Sequence, residues 1–166
     1  SDGTRTDWSR SKTTSADWVS WNSVYENYFA TLEHRFDNDW KVKASYNYGD
    51  READSYLLYV YGAPDRTTGL GMFTWPGSYL VHTTQEDVGL QANGPFKLLG
   101  RTHELAVGYT HSKQEFTSDS RSGGFGAAPN FNTWDGSYPE PSWGALTYYG
   151  QGTTTQEAIY GTARFS

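Results

Sequence analysis

The chain has 166 residues, with 13 Lys and Arg against 19 Asp and Glu for a net charge of −6, no cysteine and one Met. That length suits a single domain. The acidic balance argues against a nucleic-acid partner, and the lack of cysteine excludes a disulfide framework and thiolate metal sites. Leu, Ile, Val and Phe fall below a fifth of the chain, a level at which disorder is a live alternative. Aromatics at 17% are far too many for a solvated coil. A chain poor in aliphatics and rich in Tyr, Trp, Gly and Thr reads as β-structure with one wet side. No apolar run approaches 18 residues, so a transmembrane helix is ruled out. The chain opens at Ser1-Asp2-Gly3 without an initiator Met or signal peptide and closes inside an alternating run. Both ends predict an excised piece of something larger.

In chain order, alternation of period two predicts a first strand over 22–36. Tyr28, Ala30, Leu32 and Phe36 oppose Asn27, Thr31, Glu33 and Arg35, with His34 and Phe29 as exceptions. Asp37-Asn38-Asp39 forms a short turn. A second strand over 40–61 places Trp40, Val42, Ala44, Tyr46 and Tyr48 opposite Lys41, Lys43, Ser45, Asn47 and Gly49, completing a hairpin. A long loop over 62–83 follows. A strand over 84–94 sets Val88, Leu90 and Ala92 against Asp87, Gly89, Gln91 and Asn93. A connection from Gly94-Pro95 to Gly100-Arg101 leads to a strand over 102–117 carrying Leu105, Val107 and Tyr109. After a second long loop over 118–153, a last strand over 154–166 carries Ile159, Gly161, Ala163 and Phe165 on one face. The predicted fold is an all-β antiparallel meander of about five long strands, part of a large transmembrane β-barrel.

Two architectures fit such strands. In a soluble sandwich the apolar faces meet a second sheet, and loops of mixed length lie at both ends. In an outer-membrane barrel the apolar face meets lipid, the turns at one end are short and the loops at the other are long, with aromatic girdles at the interfaces. Lys41, Lys43, Glu33 and Arg35 on one face, and Trp40 and Phe36 beside the short turn, favour the barrel. An aromatic-rich sandwich that binds carbohydrate is the alternative.

Four stretches carry a more specific signal: Ser1 to Ser11, Thr31 to Trp40 with Lys43 to Asn47, Tyr61 to Gly71, and Tyr160 to Ser166. Their order and spacing resemble the barrel of TonB-dependent ferric-siderophore receptors of the pyoverdine, coprogen and hydroxamate subgroup. The resemblance implies a barrel of about 22 strands closed by a plug domain, of which this chain would supply about five strands and no plug. It implies outer-membrane lipid and a ferric siderophore as partners. The TonB complex would be engaged through regions missing from this chain. Iron would arrive only as Fe(III) inside the siderophore, with no cofactor bound by the protein, and no bond is made or broken.

The residues themselves suggest little other chemistry. His34, His82, His103 and His111 lack metal-ligand spacing. His103 and His111 share a strand face but lie roughly 26 Å apart along it. His34 and His103 read as interfacial residues near the short turns. Asp37 and Asp39 lack the glycine and distal glutamate of a calcium loop. No nucleophile elbow or phosphate loop is present. The informative group is the aromatics of the long connections, because Tyr and Trp present large surfaces with only two torsions to fix. The candidate ligand-binding residues are Trp75, Tyr79, Trp134, Tyr138, Trp143 and Tyr148. Tyr59 and Tyr61 join them, since strand parity points them into the upper lumen where the ligand of the resembled family rests. Arg164, inward by parity, reads as part of a structural charge network.

Overall fold

The computed structural model describes residues 8–165, so the Ser1–Asp7 part of the first quoted stretch, and Ser166, lie outside the described residues. The strands are β1 (Ser20–Arg35), β2 (Lys41–Tyr61), β3 (Phe73–Leu98), β4 (Arg101–Ser122), β5 (Gly126–Ala127) and β6 (Thr147–Arg164), with a 3₁₀ turn at Phe131–Thr133. They form one antiparallel sheet in the order β1-β2-β3-β4-β6, and β5 pairs with the start of β3, Phe73 opposite Ala127 and Thr74 opposite Gly126. No second sheet covers it among the described residues, and Leu32 and Ile159 are 73% and 86% exposed. A sandwich would bury both, so the carbohydrate-binding alternative loses its structural basis.

The bounds of three predicted connections are corrected. β3 begins at Phe73, not at 84, so the first long connection shrinks to 62–72. The opening stretch of β3 carries Thr74, Pro76 and Ser78, all buried, with no apolar alternation to mark it as strand. The second connection is 123–146 rather than 118–153, because β4 runs on to Ser122 and β6 starts at Thr147. The link between β3 and β4 is only Leu99-Gly100, both at positive φ (51° and 77°), the mirror-image turn that suits a two-residue hairpin. Pro95 therefore lies inside β3. It has no N–H to give a ladder, and it stands at the turn end of the strand, where β2 begins only at Lys41. Trp40 Nε1 donates to the Pro95 carbonyl at 3.1 Å, and a Cβ on Gly94 would lie 2.6 Å from the indole.

The chain divides into two compact units, and residues of β1, β2, β3, β4 and β6 are shared out between them. One comprises 23–53, 81–118 and 149–165. Here the sheet has two unlike faces. Val42, Leu90, Ala92, Val107, Tyr109 and Ile159 line one shallow apolar groove, and Ala30, Leu32, Ala44, Tyr46 and Val88 line another. The opposite face carries Lys41 paired with Glu33 (3.0 Å), Asn47 bonded to Asp87 (3.2 Å) and Arg164 near Glu104 (3.5 Å). A polar cavity of about 760 Å³ lined by Gln91, Asn93, Glu104, Thr162 and Arg164 opens there. Along each strand the apolar face ends at an acidic or histidine position. Tyr28 Oη donates to Glu26 (3.1 Å), His82 bonds Asp50 (2.8 Å), and Tyr109 and His111 both reach Glu157. Between that border and the short turns lie nine residues each of β1 and β2, ten of β4, seven of β6 and sixteen of β3; on all but β3 this is roughly 23–33 Å of strand, which tilt brings near the height of a lipid-facing band. At the short-turn end His103, 5% exposed, bonds the Leu98 carbonyl among the rings of Phe96 and Phe165, and His34 meets Phe36 edge to face.

Candidate ligand-binding site

The second unit comprises 8–22, 54–80 and 119–148 and holds all eight candidate residues, Tyr148 as its last. Its turns are built locally. Asp65 Oδ1 accepts from the Thr67 and Thr68 amides (3.0 and 2.8 Å) and from Thr68 Oγ1 (2.9 Å). These bonds, the Thr68 amide foremost, hold the Asp65 carboxyl below its ordinary range. Gly69, at φ 70°, offers its carbonyl to the Phe131 amide at 2.8 Å, and a side chain on Gly69 would overlap that of Asn130. Asn130 in turn caps the 3₁₀ turn by accepting from the Asn132 amide (2.9 Å). The 62–72 connection and the Phe131–Thr133 turn are thus fastened to each other.

A first aromatic group is occupied with packing. Trp134 is 9% exposed, donates its indole N–H to the Ser15 carbonyl at 2.8 Å and stacks on Tyr138 at 6.3 Å. Tyr138 Oη shares a 2.8 Å hydrogen bond with Thr74 Oγ1, and its carbonyl accepts from Trp18 Nε1 at 2.9 Å. Trp143 meets the rings of Trp18 and Tyr56 edge to face (5.7 and 5.3 Å) and donates to Glu140 at 2.9 Å. Arg121 reaches the Tyr56 hydroxyl at 3.3 Å. A buried indole whose N–H is satisfied and whose faces are covered has little left to offer a ligand.

A second group is open. Tyr59, Tyr61, Phe73 and Phe125 form a row with successive centroids 6.5, 5.6 and 4.8 Å apart, the middle pair stacked at 18°. Tyr59 and Tyr61 are 38% and 42% exposed and Phe125 69%. The pairing of β5 with β3 sets Phe125 against Phe73. Trp75, two residues on from Phe73 and hence on the same side of β3, is 52% exposed. Contiguous exposed rings of this kind mark an interaction surface.

The eight candidates therefore do not form one cluster. Tyr59 and Tyr61 join the open row, Trp134 and Tyr138 stack with each other, and Trp143 packs with Trp18 and Tyr56. Tyr79 lays its ring beside Gly77, and Tyr148 is exposed on β6. Sequence reasoning missed Trp18, which no local pattern links to a partner 120 residues away. Phe73 and Phe125 fall inside the predicted loops 62–83 and 118–153, where no strand pattern aligns them. Among the described residues no group of three or more His, Asp and Glu could hold a metal ion. The open row can bind by stacking and apolar contact, with tyrosine hydroxyls as polar handles.

No protein-family profile matches the chain. Among curated proteins it is similar over its whole length to the ferripyoverdine receptor of Pseudomonas aeruginosa (32% identity) and to the ferric-pyoverdine BN7/BN8 receptor of Pseudomonas putida (29%). Over 84% of its length it is 34% identical to the ferric-pyoverdine 358 receptor of Pseudomonas putida. The chain spans about a fifth of the length of these relatives, 21%, 21% and 17%. Among solved structures, the outer-membrane ferripyoverdine receptor of Pseudomonas aeruginosa bound to ferripyoverdine superposes with a TM-score of 0.83 at 30% identity, covering 99% of this chain and 22% of that one. FpvA bound to a heterologous pyoverdine gives 0.84 at 30% identity over 100% of this chain and 22% of that one. The FpvAI–pyocin S2 complex gives 0.82 at 30% over 97% and 22%.

Proposed function

We propose, from the premise that the chain belongs to the TonB-dependent ferric-siderophore receptors as a segment homologous to the β-barrel of ferripyoverdine receptors, that it supplies part of the wall and of the outward loops of a receptor that binds a ferric siderophore and takes it up by TonB-coupled transport. The observation that carries the binding role is the open row Tyr59–Tyr61–Phe73–Phe125. The apolar face of the 23–53, 81–118 and 149–165 unit sits in outer-membrane lipid, and its polar face lines the lumen. Of the eight candidates, Tyr59, Tyr61 and Trp75 make ligand contacts, with Tyr79 and Tyr148 at the margin. Trp134, Tyr138 and Trp143 act through the loop they hold. Iron arrives already chelated, so the protein recognises the outer surface of the complex and ligates no metal. Uptake is binding followed by energy-coupled passage, and it breaks no bond.

The test is a titration of detergent-folded full-length protein with ferric and iron-free pyoverdine-type siderophores, following quenching of Trp fluorescence. Tyr61→Ala and Phe125→Ala are each expected to weaken binding of the ferric form about tenfold, the value of one stacked ring contact at a desolvated centre. Unchanged affinity in both variants at intact fold would overturn the assignment of the row.

A further inference from the structure

We infer that residues 8–18 act as a strap on the long 123–146 connection and that Lys12 is its fastening, a positioning residue for ligand binding. This rests on the receptor reading above for its functional consequence, though not for its geometry. Lys12 Nζ donates to two main-chain carbonyls where the 3₁₀ turn ends, Asn132 at 3.0 Å and Trp134 at 3.4 Å. It lies 5.2 Å from the centroid of the Phe131 ring and adds to the forces holding the Asp135 carboxyl low, behind those of Ser137. One cation thus answers the orphan carbonyls at the end of the turn and the face of its first ring. The remaining strap contacts line up on either side: Trp8 packs on Phe131 at 4.5 Å, Trp134 donates to Ser15, and the Asp17 amide donates to the Gly136 carbonyl at 2.9 Å.

The path from strap to site is continuous. Trp134 stacks on Tyr138, Tyr138 bonds Thr74, and Thr74 pairs with Gly126 beside Phe125 and Phe73. The 123–127 segment that presents Phe125 has little burial of its own, and its short pairing with β3 is shared with what holds the rest of the connection. Loosening the turn leaves the row assembled for only part of the time. A ligand that needs the assembled row then binds with an affinity reduced by that fraction, and the loss falls on the association rate.

Two measurements on the full-length protein in detergent test this. The first needs no ligand. Amide hydrogen exchange at Phe131, Ala128 and Asp17, whose N–H groups bond Gly69, Met72 and Gly136, should quicken about tenfold in Lys12→Met, while amides of β2 and β3 within 41–50 and 86–92 stay unchanged. Lys12→Arg should restore most of the protection. The second is stopped-flow binding of a ferric pyoverdine-type siderophore. Lys12→Met should lower the association rate several-fold with an unchanged dissociation rate, again rescued by Lys12→Arg. Exchange unchanged in Lys12→Met overturns the strap. Faster exchange with wild-type association and dissociation rates overturns its positioning role. A wild-type protein that binds no siderophore yet shows the exchange effect refutes the receptor reading and leaves the strap standing.

Discussion

The two units of this chain solve the same problem, placing many aromatic rings, in opposite ways. In the 8–22, 54–80 and 119–148 unit the rings face one another, and indole N–H groups find carbonyls: Trp18 with Tyr138, Trp134 with Ser15. That is how a loop is folded in water, where each ring gains by leaving the solvent. In the 23–53, 81–118 and 149–165 unit the large side chains Leu32, Phe29, Ile159 and Phe165 are exposed, and stability comes from the backbone ladder and from rings laid over glycines. Tyr25 covers Gly49, Trp40 covers Gly94 and Tyr160 covers Gly108. An apolar face left open on a well-formed sheet is stable only where the medium is itself apolar. The contrast is therefore between two solvents, and the open Tyr59–Phe125 row stands out because it follows neither rule.

The largest effect expected from breaking this contrast comes from charging the apolar face. Leu90→Arg should cost about 2–4 kcal/mol in urea titrations of bilayer-folded protein, while Gln91→Arg, one residue away on the polar face, should cost far less. Next, Gly94→Ala places a Cβ 2.6 Å from the Trp40 ring and 2.9 Å from its Cα. With backbone on one side it cannot be relieved by a rotamer change, so a loss of about 1–3 kcal/mol should appear in the same titration. In the loop unit Trp134→Phe keeps the stack on Tyr138 and removes only the N–H to Ser15, for about 1 kcal/mol of local stability read by proteolysis of the 123–146 connection. Glu104→Gln should be nearly silent, since the Arg164–Glu104 pair is 80% and 69% exposed at 3.5 Å. Finally, the Asp65 carboxyl titrates below its ordinary 3.8 in the folded chain. Its contribution to the 62–72 turn is therefore complete above about pH 4 and is lost as pH falls through the folded value. The Thr68 amide resonance should move only in that acid range, and Asp65→Asn should abolish the movement.

The sheet unit was legible because its medium enforces a period of two. Lipid on one side and water on the other leave Val42, Ala44, Val88, Leu90, Val107 and Ile159 no choice of face. Where a loop rather than lipid covers the strand, the requirement lapses. Thr74, Pro76 and Ser78 are as buried as any of the described residues, yet they are small and mostly polar, and so the first eleven residues of β3 read as loop. Gly94-Pro95 hid the other end of the same strand, since the pair reads as a break and the ring that packs on it comes from Trp40. The aromatic richness of the connections was plain, but its division into packing and open rings was not. That division depends on contacts such as Lys12 with Trp134 and Trp18 with Trp143, over 120 residues apart, which leave no local trace.

The central claim is that one side of the sheet faces lipid and the other a wet lumen, and the absence of native cysteine allows it to be tested cleanly. Single cysteines at 87 through 92 on β3, spin-labelled in full-length protein reconstituted into bilayers, should alternate strictly. Labels at Val88, Leu90 and Ala92 should collide with dissolved oxygen, and those at Asp87, Gly89 and Gln91 with a water-soluble nickel chelate. Labels at Val88, Leu90 and Ala92 shielded from both reagents would mean a dry protein core on that face and would contradict the account.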